Sequence, residues 1–121
     1  MESMALRQAL LTRLGRFPER VPLRLTVSSK IEEGAYTRTL VAYDVEGRER
    51  VSAWLLIPQE TPPSDGWPAV LAIHQHDNRY DLGKAEPVGL SGNAMYAYGQ
   101  ELCRRGYVVL CPDLLCFEDR L

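Results

Sequence analysis

Two short, unbroken apolar runs constrain this chain more than any other feature of it. They are Ala69-Val70-Leu71-Ala72-Ile73 and Tyr107-Val108-Val109-Leu110-Cys111. A strand with one wet face alternates apolar and polar residues, whereas a strand covered on both faces has no reason to. Pro68 precedes the first run, and Gly106 and Pro112 bracket the second. Between the runs, residues 94–105 carry Met95, Tyr98 and Leu102 at helical spacing, with Asn93 placed to cap the start and Gly106 to close the end. Strand, helix and strand in series predict a βαβ unit, with a parallel pair of strands and a right-handed crossover.

The first half has a different period. Residues 23–31 alternate Leu23, Leu25 and Val27 with Arg24, Thr26 and Ser28. Residues 36–45 alternate again, with Thr37, Thr39, Val41 and Tyr43 on one side, and residues 51–57 return after a turn at Glu46-Gly47-Arg48. Period-2 runs joined by a glycine turn predict an antiparallel meander. Ahead of it, residues 3–14 place Leu6, Leu10 and Leu14 one above another, which predicts a short helix packed on the domain surface. Gly15 and Pro18 would end that helix. The fold class is therefore α/β, an incomplete sheet of antiparallel strands followed by one βαβ unit. The two parallel strands need helices on both faces and only one crossover helix is at hand, so further strands are expected to complete a three-layer domain.

Composition narrows the function classes. A net charge of −2 on 121 residues offers neither nucleic acid nor an anionic membrane an attractive surface. Arg7 and Arg13 break up the N-terminus, so a secretory signal with its uncharged apolar stretch is not expected there. Cys103, Cys111 and Cys116 are odd in number and form no C-x-x-C pair, a pattern expected of reduced thiols in a cytoplasmic protein.

Ligands of open α/β sheets bind beyond the carboxyl ends of parallel strands. The long connection after His74, residues 75–93, leaves one such end, and the residues after Pro112-Asp113 leave the other. Here the sequence resembles a family. Pro68-Ala69-Val70-Leu71-Ala72-Ile73-His74 resembles the third strand of α/β-hydrolases, which commonly ends in His-Gly. Arg104-Arg105-Gly106-Tyr107-Val108-Val109-Leu110-Cys111-Pro112-Asp113 resembles the junction between helix A and the fourth strand of that superfamily. Leu82-Gly83-Lys84-Ala85-Glu86-Pro87-Val88-Gly89 is similar to the long loop of the dienelactone-hydrolase and acetyl-xylan-esterase type.

The resemblance implies hydrolysis of a carboxylic ester or related acyl substrate, with no cofactor. It makes residues 1–20 an N-terminal helix and linker, and residues 21–121 the N-terminal half of the hydrolase domain. One oxyanion-hole donor in this family is a backbone N–H after the third strand. That makes the N–H of Gln75 or His76 the candidate, with His74 in a loop-building role. Gln75 stands where His-Gly members have glycine. The nucleophile motif G-x-S-x-G is missing: among Ser3, Ser28, Ser29, Ser52, Ser64 and Ser91, only Ser91 has glycines nearby, and it follows no strand. The triad is then expected beyond Leu121.

Two rival readings come from the residues themselves. His74-Gln75-His76-Asp77 could begin a zinc site, closed by Cys116, Asp113 or Glu118. Alternatively the chain is a non-catalytic, truncated hydrolase-like module. Its strand ending at His74 would then leave an unpaired edge open to self-association.

Overall fold

The β-branched and aromatic alternation of the first half produces the longest strands. In a computed structural model that describes residues 2–121 apart from 48 and 77, β1 (Thr26–Glu32), β2 (Tyr36–Glu46) and β3 (Glu49–Pro58) form an antiparallel meander. Gly47 turns the β2–β3 hairpin with a positive φ; Arg48 of that turn lies outside the described residues. β1 starts later than the alternation predicts. Arg24 adopts φ 40, and its side chain turns to pair with buried Asp44, whose N–H donates to Leu23 O at 2.7 Å. Arg50 reaches the same carboxylate at 2.5 Å, so a buried charge, rather than strand pairing, decides the path of residues 23–25.

The βαβ unit follows. β4 (Ala69–Leu71) and β5 (Val108–Pro112) are parallel, connected through α2 (Tyr98–Arg104). β5 also pairs antiparallel with β3, giving the strand order β1-β2-β3-β5-β4. The sheet is thus mixed, with β4 at one edge and β1 at the other.

α2 is shorter than the spacing predicts. Asn93 does cap, accepting the Met95 N–H at 3.0 Å, but it caps a 3-10 turn over Ala94–Tyr96. The backbone then re-sets at Ala97 before α2 begins. Met95 consequently falls out of register with Tyr98 and Leu102 and is exposed, whereas those two pack on the core. Gly106 ends the helix with φ +88. Its N–H donates to Cys103 O at 3.0 Å and the Tyr107 N–H donates to Leu102 O at 3.2 Å, the paired bonds of a Schellman closure.

The core lies on one face of the sheet, where Tyr36, Trp54, Leu56, Val109 and Cys111 meet Val88 and Cys103. Burial pushes the Cys103 thiol up to about 11 and Cys111 up to about 12, so both act as small apolar side chains. The opposite face is covered unevenly: Thr39, Val41, Val51 and Ala53 are buried there, Leu55 and Leu110 only in part, and β4 is not sheathed on both sides as its apolar run predicts. Val70 is half-buried and Ala72 buried, but Ala69 is exposed and Leu71 is 60 % exposed. An apolar run shows that a strand tolerates cover, and the cover itself must come from another element.

The same holds for α1 (Glu2–Leu14), which forms where expected but presents Leu6, Leu10 and Leu14 to solvent instead of docking. Among the described residues, no helix is long and apolar enough to cross a membrane.

Candidate functional site at the carboxyl ends of β4 and β5

The chain beyond β4 and the chain beyond β5 fold against each other. His74, only 5 % exposed, is the first point of contact. Its Nε2 accepts the Leu114 N–H at 3.1 Å, so the proton resides on Nδ1, which donates to Gln75 O at 2.9 Å. The ring also meets Phe117 edge-on, with centroids 4.7 Å apart. His76 is exposed and packs edge-on against Tyr80 and Phe117. Its Nδ1 accepts the Asn78 N–H at 3.2 Å.

Gln75 spans the gap on the other side. Its Nε2 donates to Glu86 Oε2 at 3.1 Å, and Glu86 Oε1 accepts the Asn93 N–H at 3.2 Å. The backbone N–H groups of Gln75 and His76 donate to no acceptor among the described residues. The N–H groups of Ile73 and His74 before them likewise meet no acceptor among the described residues, and free donors on a turn where Gln75 is half-buried and His76 exposed can receive a developing negative charge.

Beneath this turn lies a cluster that sequence reading did not single out. Lys84, 2 % exposed, places its ammonium 2.7 Å from Asp113 Oδ2, 2.8 Å from Glu118 Oε1 and 2.7 Å from Asp119 Oδ2. The backbone joins in: the Lys84 N–H donates to Asp113 Oδ1 at 2.7 Å, and the Gly83 and Ala85 N–H groups donate to Glu118 Oε2 at 3.1 and 3.0 Å. Three carboxylates share one cation, and the consequences divide by burial. Burial pushes the fully enclosed Asp113 carboxyl up against the pull of Lys84. The hydrogen bond from Lys84 holds the more exposed Asp119 below its usual range. Burial alone would lower the Lys84 pKa, but its bonds to Asp113, Asp119 and Glu118 outweigh that and raise it. Gly83 is required for close approach, because a Cβ there would collide with Asp113 Oδ1 and lie 2.9 Å from Glu118 Cβ. Lys84 is separated from its partners by about thirty residues of chain, and although Asp113 and Glu118 stand out as zinc candidates in the sequence, nothing there ties them to Lys84.

The zinc arrangement gains no support from this geometry. Both His74 nitrogens are engaged and His76 Nδ1 is occupied, while Asp77 lies outside the described residues. Asp113, Glu118 and Asp119 bring ligand atoms within 4.8 Å of one another, but the Lys84 ammonium already sits among them. Cys116 is exposed with φ 69, yet with both His74 nitrogens committed it has no base there. Ser91 is exposed in the bend before Asn93, away from any strand-to-helix elbow. A hollow of ≈ 370 Å³ beside α2 includes Met95, Glu101 and Arg104 in its lining and reaches neither His74 nor Lys84.

Comparison with known proteins adds one result. Over 116 residues the chain is 34% identical to "Putative hydrolase YtaP" of Bacillus subtilis (strain 168), a match taking in 94% of this chain and 38% of that protein. This chain therefore spans well under half the length of the relative. No family model matches it, and no solved structure does.

Proposed function

We propose that this chain is the N-terminal part of a cytoplasmic hydrolase acting on carboxylic esters or related acyl substrates, and that it contributes the oxyanion loop but not the nucleophile. The observation that carries this reading is the run of N–H groups over residues 73–76, those of Gln75 and His76 included, that meet no acceptor among the described residues just past the carboxyl end of β4, where α/β sheets bind ligands. The β4-α2-β5 crossover supports an α/β-hydrolase type of sheet, three-layered once complete. The similarity to a protein named as a hydrolase supports the reaction class. Neither His74 nor His76 acts as the catalytic base in this reading: His74 builds the loop, and the nucleophile, acid and base lie outside these 121 residues.

The test begins with the mass of the native protein in its source cells. A species larger than 13.7 kDa would be expressed and assayed on p-nitrophenyl acetate, alongside Gln75→Gly. Hydrolysis is expected, with the glycine variant folded and altered in turnover. An inactive longer form sinks the hydrolase reading, and unaltered turnover in a folded Gln75→Gly protein sinks the oxyanion assignment.

A second reading is a non-catalytic hydrolase-like module that self-associates. The unpaired edge of β4 and the exposed Leu71 beside it favour this reading. It predicts a native species at 13.7 kDa with concentration-dependent size.

A further inference from the structure

The oxyanion reading leaves the buried ion cluster without a role, and the covalent path from that cluster to the candidate donors is short. We infer that Lys84 is a positioning residue for the His76 N–H, acting through Asp113, Leu114 and His74. The inference rests on the proposed oxyanion loop and deepens it by choosing between its two candidate donors.

Each link is a named bond. The Lys84 ammonium and the N–H groups of residues 83–85 strap the first loop to Asp113 and Glu118. Asp113 precedes Leu114, whose N–H donates to His74 Nε2 at 3.1 Å. That bond fixes the imidazole tautomer and leaves Nδ1–H to donate to Gln75 O at 2.9 Å. Gln75 C=O and His76 N–H belong to one planar trans peptide and point in opposite directions. Pinning the oxygen inward against His74 therefore aims the His76 N–H outward, toward the open side of the loop. The Gln75 N–H belongs to the preceding peptide and is not aimed by this bond.

The test reads the imidazole directly and needs no substrate. In the full 121-residue chain labelled with ¹⁵N, the His74 ring is expected to show a protonated Nδ1 and an unprotonated Nε2 at neutral pH. Lys84→Met keeps an unbranched side chain, one atom shorter, and removes its charge. It is expected to lose this single-tautomer pattern while amides of β2 and β3 keep their exchange protection, and Lys84→Arg is expected to restore it. Should Lys84→Met fail to fold, Glu118→Gln weakens the same strap more gently and is expected to shift the ring toward mixed tautomers. A wild-type His74 pattern in folded Lys84→Met, or in Glu118→Gln where the methionine variant does not fold, would overturn the inference. The outcome is separable from the oxyanion reading: a changed tautomer with unaltered turnover in Gln75→Gly leaves Lys84 as the organiser of a loop that holds no oxyanion.

Discussion

The two faces of the sheet are made from the same strands and have met different fates. Leu56 and Val109 point into the core and are fully buried, while their chain neighbours Leu55 and Leu110 point the other way and are only half-buried. Leu71, the partner of Leu110 on β4, is more exposed still. On the covered face, α2 and Val88 of the strapped loop close over the strands. On the open face Val41, Val51 and Ala53 are buried, but toward β5 and β1 the cover gives out: Leu23 and Leu25 line a hollow of ≈ 260 Å³ with Val41, Tyr43, Leu55 and Leu110, and both leucines remain exposed. Residue type does not distinguish the faces. What distinguishes them is whether a later segment returns to cover the strand, so burial here is a property of pairs of segments.

The largest expected effect comes from releasing the strap over the covered face. Lys84→Met removes the ammonium and leaves three carboxylates facing one another, at a cost of about 3–5 kcal/mol in denaturant unfolding. Its pH dependence has a definite sign. The folded pKa of Lys84 is raised above the ordinary 10.5, so its contribution is complete below 10.5 and is lost as pH rises through the folded value. The gap in stability between wild type and variant should stay level from neutral pH to about 10 and narrow above that. A gap that narrows toward neutral pH instead would mean that Lys84 does not carry the strap as a cation.

Next in size is Leu56→Ala, which deletes a side chain with no exposure from the middle of the covered face. A loss of about 2–5 kcal/mol is expected. A loss below about 1 kcal/mol would mean that the covered face is packed no better than the open one. Gly83→Ala is expected to be smaller, about 1–3 kcal/mol, because the added methyl forces Asp113 and Glu118 apart without removing the ammonium between them. Amide exchange should accelerate in residues 83–88 and 113–120 while β2 and β3 are unaffected. Uniform acceleration would show that the strap and the sheet open together.

How much was legible in the sequence follows the same division. The β2–β3 hairpin, β5 and the Gly106 stop could be read because alternation, an apolar run and a helix-ending glycine act within a few residues. The start of α2 could not: Asn93 was a correct cap for the wrong kind of turn. The exposure of Leu71 and of the α1 leucines was hidden because spacing records that a stripe exists and not what meets it. At the candidate site, the position of His74, Gln75 and His76 at a strand's carboxyl end was readable. The hydrogen bonds that fix His74 were not, since Leu114 lies forty residues on. Lys84 was the least legible, because a lysine inside a polar loop reads as solvated until its three distant partners are in place.

The smallest effect provides the sharpest contrast. Leu71→Ser changes a residue as apolar as Leu56 on the same sheet, yet its stability change should fall within about 0.5 kcal/mol, because most of the side chain is already in water. Transfer free energy is recovered only for area removed from solvent, and at Leu71 little is removed. Sizing across a concentration series provides a second, independent reading of the same variant. β4 is an edge strand with unpaired backbone groups, and an exposed leucine beside such an edge favours pairing with another chain. If wild type grows in size with concentration, Leu71→Ser should weaken that growth while leaving the unfolding midpoint where it was. A midpoint that drops by as much as in Leu56→Ala would mean that Leu71 is buried in solution, and the distinction between a covered and an open face would collapse.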